Sequence, residues 1–117
     1  MFYFEKLPVY MLTEECYILI VKYCLKNQAI NAEFRSQLQR SGSSILLNIS
    51  EGMGKFNKKD KRKFYAIARG SVHESVSVVK ILYLEGHIMS ATFHEIYTKL
   101  DIIARMLSAL IRAMSEK

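Results

Sequence analysis

The sequence predicts an all-α protein, an antiparallel up-down-up-down four-helix bundle, and three observations carry the prediction. Apolar residues recur at i, i+3/i+4 spacing in four separate stretches, the period of a helix with one buried face. Only short polar or Gly-containing segments separate the stretches, and short connections place consecutive helices side by side. No alternating run of the strand type, tandem repeat or low-complexity segment interrupts them. With 117 residues, half of them apolar and 24% charged, the chain fits a single domain over residues 1–117 with a real core.

Residues Phe2 to Tyr10 are rich in aromatics and include Leu7-Pro8. Proline disfavours a helical conformation at Leu7 but suits a first helical turn, so the first helix is expected from Pro8 to about Lys26. Leu12, Cys16, Leu19, Ile20, Tyr23 and Cys24 share one of its faces. Asn27 to Ile30 reads as a connection, and Asn31 as the N-cap of the second helix. There Phe34, Leu38, Ser41, Ile45, Asn48, Ile49 and Gly52 form a stripe with small and polar members, which suits close helix approach. Gly42 weakens a helix by ~1 kcal/mol relative to Ala, so a bend or a nearby backbone is expected at it. Gly52 and Gly54 are expected to end the helix in left-handed conformations.

Asn57 is the expected N-cap of the third helix, with Asp60 in its first turn and Gly86 just past its end at Leu84 or Glu85. Advancing ~100° per residue separates three faces. Phe64, Ala68, Ser71, Val72, Ser75, Val78, Val79 and Leu82 form the expected core face. Lys58, Arg62, Tyr65, Arg69, His73 and Lys80 form a basic stripe containing an aromatic. Ala66, Gly70, Ser77, Ile81 and Leu84 form a third face, small and then apolar, that allows another helix close. The fourth helix is expected to start on a capping box, Thr92 with Glu95. Its long apolar stripe runs from Phe93 through Ile96, Tyr97, Leu100, Ile103, Ala104, Leu107, Leu110 and Ile111 to Met114.

A monomeric bundle needs about one apolar stripe per helix, and this chain has more. Leu46 and Leu47, Ile81 and Leu84, and Ile18, Val21 and Leu25 lie beside the core stripes, which predicts self-association. Charge is equally uneven. Between Lys55 and Lys63, six cations (Lys55, Lys58, Lys59, Lys61, Arg62, Lys63) face one acid, Asp60, and supply +5 of the formal net +6. Cations at a helix N-terminus are mildly unfavourable, so an outside polyanion explains the cluster better than helix stability does.

No apolar run reaches the ~18–20 residues of a membrane span, and Met1 to Tyr10 lacks a signal-peptide pattern, so a cytoplasmic protein with no membrane contact is expected. Cys16 and Cys24, ~12 Å apart along one helix, are expected to be buried thiols rather than a disulfide. His73, His87 and His94 lack the i, i+4 spacing of a helical metal site, and Gly52-Met53-Gly54-Lys55 lacks the preceding strand and following Ser/Thr of a phosphate loop. Neither a metal nor a cofactor is expected.

The stretch Ser44, Ile45, Asn48, Ile49, Ser50, Glu51, Gly52, followed by Phe64, Ala68, Gly70, Ser71 and Glu74, resembles the four helix bundle proteins, also called ribosomal-RNA intervening-sequence proteins. That family is encoded within insertions in bacterial large-subunit ribosomal RNA genes and elsewhere. Phe4 to Tyr10 looks like its leader into the first helix, and Ser50 replaces a usual Ala. The resemblance implies a bundle assembling as a ring-shaped pentamer. Similar accessory proteins of diversity-generating retroelements bind nucleic acid and a reverse transcriptase.

Ser44, Asn48, Glu51 and Glu74 are expected at helix–helix contacts in structural roles, with Ser71 and Ser75 as hydrogen-bonding neighbours and Arg40 and Arg69 as partners for the glutamates. No nucleophile, His or Gly-rich loop accompanies the carboxylates, so no catalytic residue is assigned and no enzyme is expected. Lys55, Lys58, Lys59, Lys61, Arg62, Lys63 and Arg69 are the candidate contacts to RNA or DNA phosphates. The alternative is a protein scaffold docking an acidic partner.

Overall fold

A computed structural model describes residues 1–116 and contains four helices, α1 (Pro8–Ile20), α2 (Ala32–Met53), α3 (Lys58–Leu84) and α4 (Ser90–Ser115). A 3-10 turn (Tyr3–Lys6) precedes α1, a π-helical turn (Val21–Leu25) prolongs it, and no strand occurs among the described residues. The longest neighbours are α2 with α3 and α3 with α4, while α1 closes the bundle against α2 and α4. The body measures 48 × 24 × 22 Å. No helix is long and apolar enough to cross a membrane among the described residues.

Each helix contributes one buried stripe at helical spacing. Ile20, Leu38, Ile45, Ile49, Val72, Val79, Leu82, Ile96, Leu100, Ile103 and Leu107 form the centre of a single core. In α1 the fully buried residues are Val9, Thr13, Cys16 and Ile20, with Leu12 and Leu19 packed half-buried against the core and Tyr23 exposed, and Thr13 satisfies its buried hydroxyl by donating to the Val9 carbonyl at 2.7 Å. Tyr97 lies outside the core of α4 and rests on the Phe93 ring, 5.6 Å between centroids.

The expected caps form at two helix starts. Asn31 accepts from the Phe34 N–H and Asn57 from the Asp60 N–H, each at 2.8 Å. Gly86 takes a left-handed conformation, φ 80°, at the end of α3. Thr92 does not cap α4: the helix begins two residues earlier, with Met89 as N-cap and no side-chain bond there. Buried Ile88 and the Gly86 turn fix the entry of the chain, so Thr92 already lies inside the helix.

The glycines of α2 have a different use from the one expected. Gly54 is right-handed (φ −78°), and Gly52 sits inside the helix. A Cβ on Gly52 would lie 2.7 Å from the Tyr65 ring, and one on Gly42 would lie 3.1 Å from the Tyr17 ring. Both glycines are therefore sockets for aromatic rings from neighbouring helices, and no bend or passing backbone is needed to explain Gly42. Tyr65 moves accordingly from the basic stripe into the core, 2% exposed, while Phe64 is only half-buried.

Cys16 and Cys24 are free and buried. Loss of hydration on burial pushes the Cys16 thiol up to about 12 and the Cys24 thiol to about 11, from an ordinary 9. Both groups are protonated in the fold and ionise more readily when unfolded. Their contribution to stability is thus full below pH 9 and is lost progressively as pH rises from 9 towards 11–12. A disulfide-exchange reagent at pH 8 is expected to find no reactive thiol in the native protein and two after denaturation; rapid native labelling would show that the helices around α1 open readily.

Candidate nucleic-acid interface

The basic turn between α2 and α3 is held from beneath. The Lys61 ammonium is drawn inward and donates to the carbonyls of Gly52 (3.4 Å) and Met53 (3.1 Å). These carbonyls sit at the C-terminal end of α2, where a cation is favoured, and the Gly52 carbonyl also accepts the Lys55 N–H at 3.2 Å. Tyr65 adds a second fastening: its ring fills the Gly52 socket and its hydroxyl points to the Met53 sulfur at 3.0 Å. The Asn57 cap is the third. Residues 54–59 are therefore displayed on a fixed support.

The other candidate cations lie on or around this turn. Lys59 and Lys63 are exposed, as is Lys58, whose ammonium is 3.5 Å from the Glu116 carbonyl. Arg62 reaches Ser115 Oγ at 3.5 Å, and Arg69 donates to Ser108 Oγ at 2.9 Å. Lys55 and Lys63 flank the half-buried Phe64 ring, 5.2 and 5.9 Å from its centroid. Lys55 also lies 3.7 Å from the Glu51 carboxylate, a weak contact since both groups are well exposed. Lys80, by contrast, rests over Phe93 at 5.3 Å, ~33 Å along α3 from Lys58, and belongs to the opposite end of the molecule.

The α3/α4 pairing adds two arginines of α4, Arg105 and Arg112, that lie off its apolar stripe. Arg105 and Arg112 line a groove of about 440 Å³ together with Arg69, His73 and Ser108, and one carboxylate, Asp101. Arg105 is paired with Asp101 at 3.3 Å. The signal was present in the sequence only as a spacing of seven residues on one helix, and it gains meaning once Arg69 meets Ser108.

The expected structural polar residues divide. Ser71 donates to Ser44 Oγ (2.9 Å), and Asn48 donates to both the Ser44 carbonyl (2.8 Å) and its hydroxyl (2.9 Å). Buried Ser41 and Ser75 form a second bridge between α2 and α3 at 2.9 Å. Glu51 and Glu74 are exposed and lie apart, Glu51 beside the Gly52–Tyr65 contact and Glu74 nine residues, ~14 Å, further along α3. Neither meets the expected arginine, because Arg40 turns to Ser36 Oγ (2.8 Å) and Arg69 to Ser108. Among the described residues, no group of three or more His, Cys, Asp or Glu side chains is arranged to hold a metal.

The model of the protein family described as 23S rRNA-intervening sequence protein matches residues 5–109 of the chain. A solved structure of similar shape is that of a protein with unknown function from the S23 ribosomal protein family of Bacteroides thetaiotaomicron VPI-5482. It has a TM-score of 0.79 and 22% identity, covering 88% of this chain and 97% of that one. At that identity the likeness concerns the fold. No curated protein matches the chain.

Proposed function

Because the chain belongs to the family of 23S rRNA-intervening sequence proteins, we propose that it is a non-enzymatic, cytoplasmic, oligomeric bundle that binds RNA or DNA through phosphate contacts at its basic turn. The observation that carries this reading is the turn itself. Lys58, Lys59 and Lys63 are exposed within six residues, on a support fastened by Lys61 and Tyr65, next to a groove with Arg69, Arg105 and Arg112. Neighbouring cations within ~8 Å add their potentials at physiological salt, and phosphate contacts of this kind need no base-specific reader. Binding of mixed-sequence RNA or DNA, followed by fluorescence anisotropy, is expected at about 50 mM salt and to fall steeply by 200 mM. Absence of binding at the lower salt overturns the proposal and leaves the cluster as a dock for an acidic protein.

The proposed assembly is an antiparallel up-down-up-down bundle repeated in a ring, as a pentamer. Support for the topology comes from partner pairs that descend as others climb: Ser41 with Ser75, Ser44 with Ser71 and Gly52 with Tyr65, then Arg69 with Ser108 and Arg62 with Ser115. Support for self-association comes from the outward side of α3. Ile67, Gly70, Glu74, Ser77, Ile81 and Leu84 recur there in alternating steps of three and four, all exposed and only Glu74 charged, and a Cβ on Gly70 would meet nothing within 4 Å. A mid-helix glycine costs ~1 kcal/mol relative to Ala and has no use inside this chain. Ile18 and Leu47 add exposed apolar surface on other helices.

Light scattering is expected to give a multiple of the 13.6 kDa chain mass at micromolar concentration. Gly70→Leu is expected to reduce that mass while leaving helicity and thermal stability at or above their normal values. A variant of undiminished mass would place Gly70 on a free surface.

A further inference from the structure

We infer that Phe56 is a stacking platform for an unpaired nucleobase, so that the basic turn grips single-stranded nucleic acid in preference to duplex; this rests on the nucleic-acid reading proposed above. Phe56 lies at the tip of the α2–α3 turn and is 102% exposed, as open as in an extended chain. Every other aromatic ring of the bundle, including Phe64 eight residues on, is at least partly covered. The turn is not loose, being fastened by Lys61, Tyr65 and the Asn57 cap, so the backbone that carries the ring is held by the same contacts that present the cations.

The surroundings of the ring select the kind of partner. Its neighbours from Gly54 to Asp60 are Gly, Lys, Asn, Lys, Lys and Asp, with no second apolar side chain. A protein partner of ordinary interface chemistry requires an apolar centre ringed by polar groups, and a lone ring among cations does not supply one. Single-strand binding has the matching requirement, a π-face for the base and cations for the phosphates on either side. Lys55 precedes the ring, and Lys58 and Lys59 follow within ~11 Å of chain. Bases in a duplex present only their edges in the grooves, so a ring projecting from a turn finds no free face there without unstacking the helix.

The test uses the full chain with mixed-sequence RNA and DNA single strands of about 20 nucleotides, longer than the ~4–16 nucleotides that a single-strand-binding OB fold occupies, and duplexes of the same sequence. Phe56→Ala is expected to weaken single-strand binding by about five- to a hundredfold and to leave duplex binding and the salt slope unchanged, because one stacking contact is removed and no charge. The chain contains no Trp, so Phe56→Trp introduces a single indole whose emission is expected to be quenched by single strands and to respond little to duplex. F56A binding single strands as tightly as the unmodified protein, or an F56W indole indifferent to them, overturns the inference while the phosphate-binding reading stands. A fall in oligomeric mass on F56A overturns it in favour of a contact between copies. Failure of the unmodified protein to bind any nucleic acid removes both readings together.

Discussion

Replacing Lys58, Lys59, Arg62 and Lys63 together by Gln is expected to lower the slope of log K against log salt by about 3, and to weaken binding about a thousandfold at 0.1 M salt, on any sequence. Each cation that neutralises a phosphate releases counterions worth roughly 0.7–0.9 in that slope, and four are removed. The fold is expected to survive, since Lys58, Lys59 and Lys63 are exposed and Arg62 makes only a long contact to Ser115 at 3.5 Å. Removing cations from the first turns of α3 also relieves an unfavourable charge at the positive end of the helix dipole, so thermal stability should hold or rise slightly. Lys61 is left in place for a physical reason: its ammonium holds the Gly52 and Met53 carbonyls, and its loss confuses a folding defect with a binding one. A quadruple variant of native mass that retains the full slope shows that the turn is not the phosphate-binding surface.

The second large effect is expected inside the fold. Tyr65→Ala removes a ring that is 2% exposed, together with its contact to Met53, and large-to-small changes of aromatic core residues cost ~3–5 kcal/mol. Gly52→Val approaches the same contact from the other side. Its Cβ would stand 2.7 Å from the ring and 3.3 Å from the Lys61 carbonyl, neither of which is a flexible chain end, and overpacking of this kind costs ~1–3 kcal/mol. Combined, the two changes are expected to cost clearly less than their sum, because valine occupies space the ring has vacated. Urea denaturation of the four proteins measures the coupling. Strict additivity means that Gly52 and Tyr65 do not depend on each other.

That pair also marks where sequence reading stopped. The four helices, the Asn31 and Asn57 caps, the Gly86 turn and the Ser44–Asn48–Ser71 cluster were legible because each rests on residues close in sequence or on the helical period. The choice between Phe64 and Tyr65 was not. Spacing put Phe64 on the core face and Tyr65 on the basic stripe, yet Tyr65 stands at equally good helical spacing from Ala68, Val72 and Ser75. What decides is the missing side chain of Gly52 on another helix. The same applies to Lys61, which counts as one more cation of the cluster until the end of α2 is placed beneath it, and to Arg105 and Arg112, which join the candidate surface only through α4. Thr92 and Glu95 show the converse: a correct local pattern was overruled by where the preceding turn delivered the chain.

The serine bridges between α2 and α3 also act as a vernier on the bundle. An apolar seam of Leu, Ile and Val tolerates sliding by one turn, since each side chain finds another of similar shape. Ser41, Ser75, Ser44 and Ser71 tolerate it less: a shift of ~5.4 Å keeps only one serine pair, Ser41 with Ser71 in one direction or Ser44 with Ser75 in the other, and leaves buried Ser75 or buried Ser41 without its serine partner, at ~1–3 kcal/mol. The alignment they select is also the one that sets Tyr65 over Gly52 and brings Lys61 to the end of α2. Two small hydroxyl pairs in the middle of the molecule thereby fix, some 15–20 Å away, the height at which the cationic tip stands above the end of the bundle.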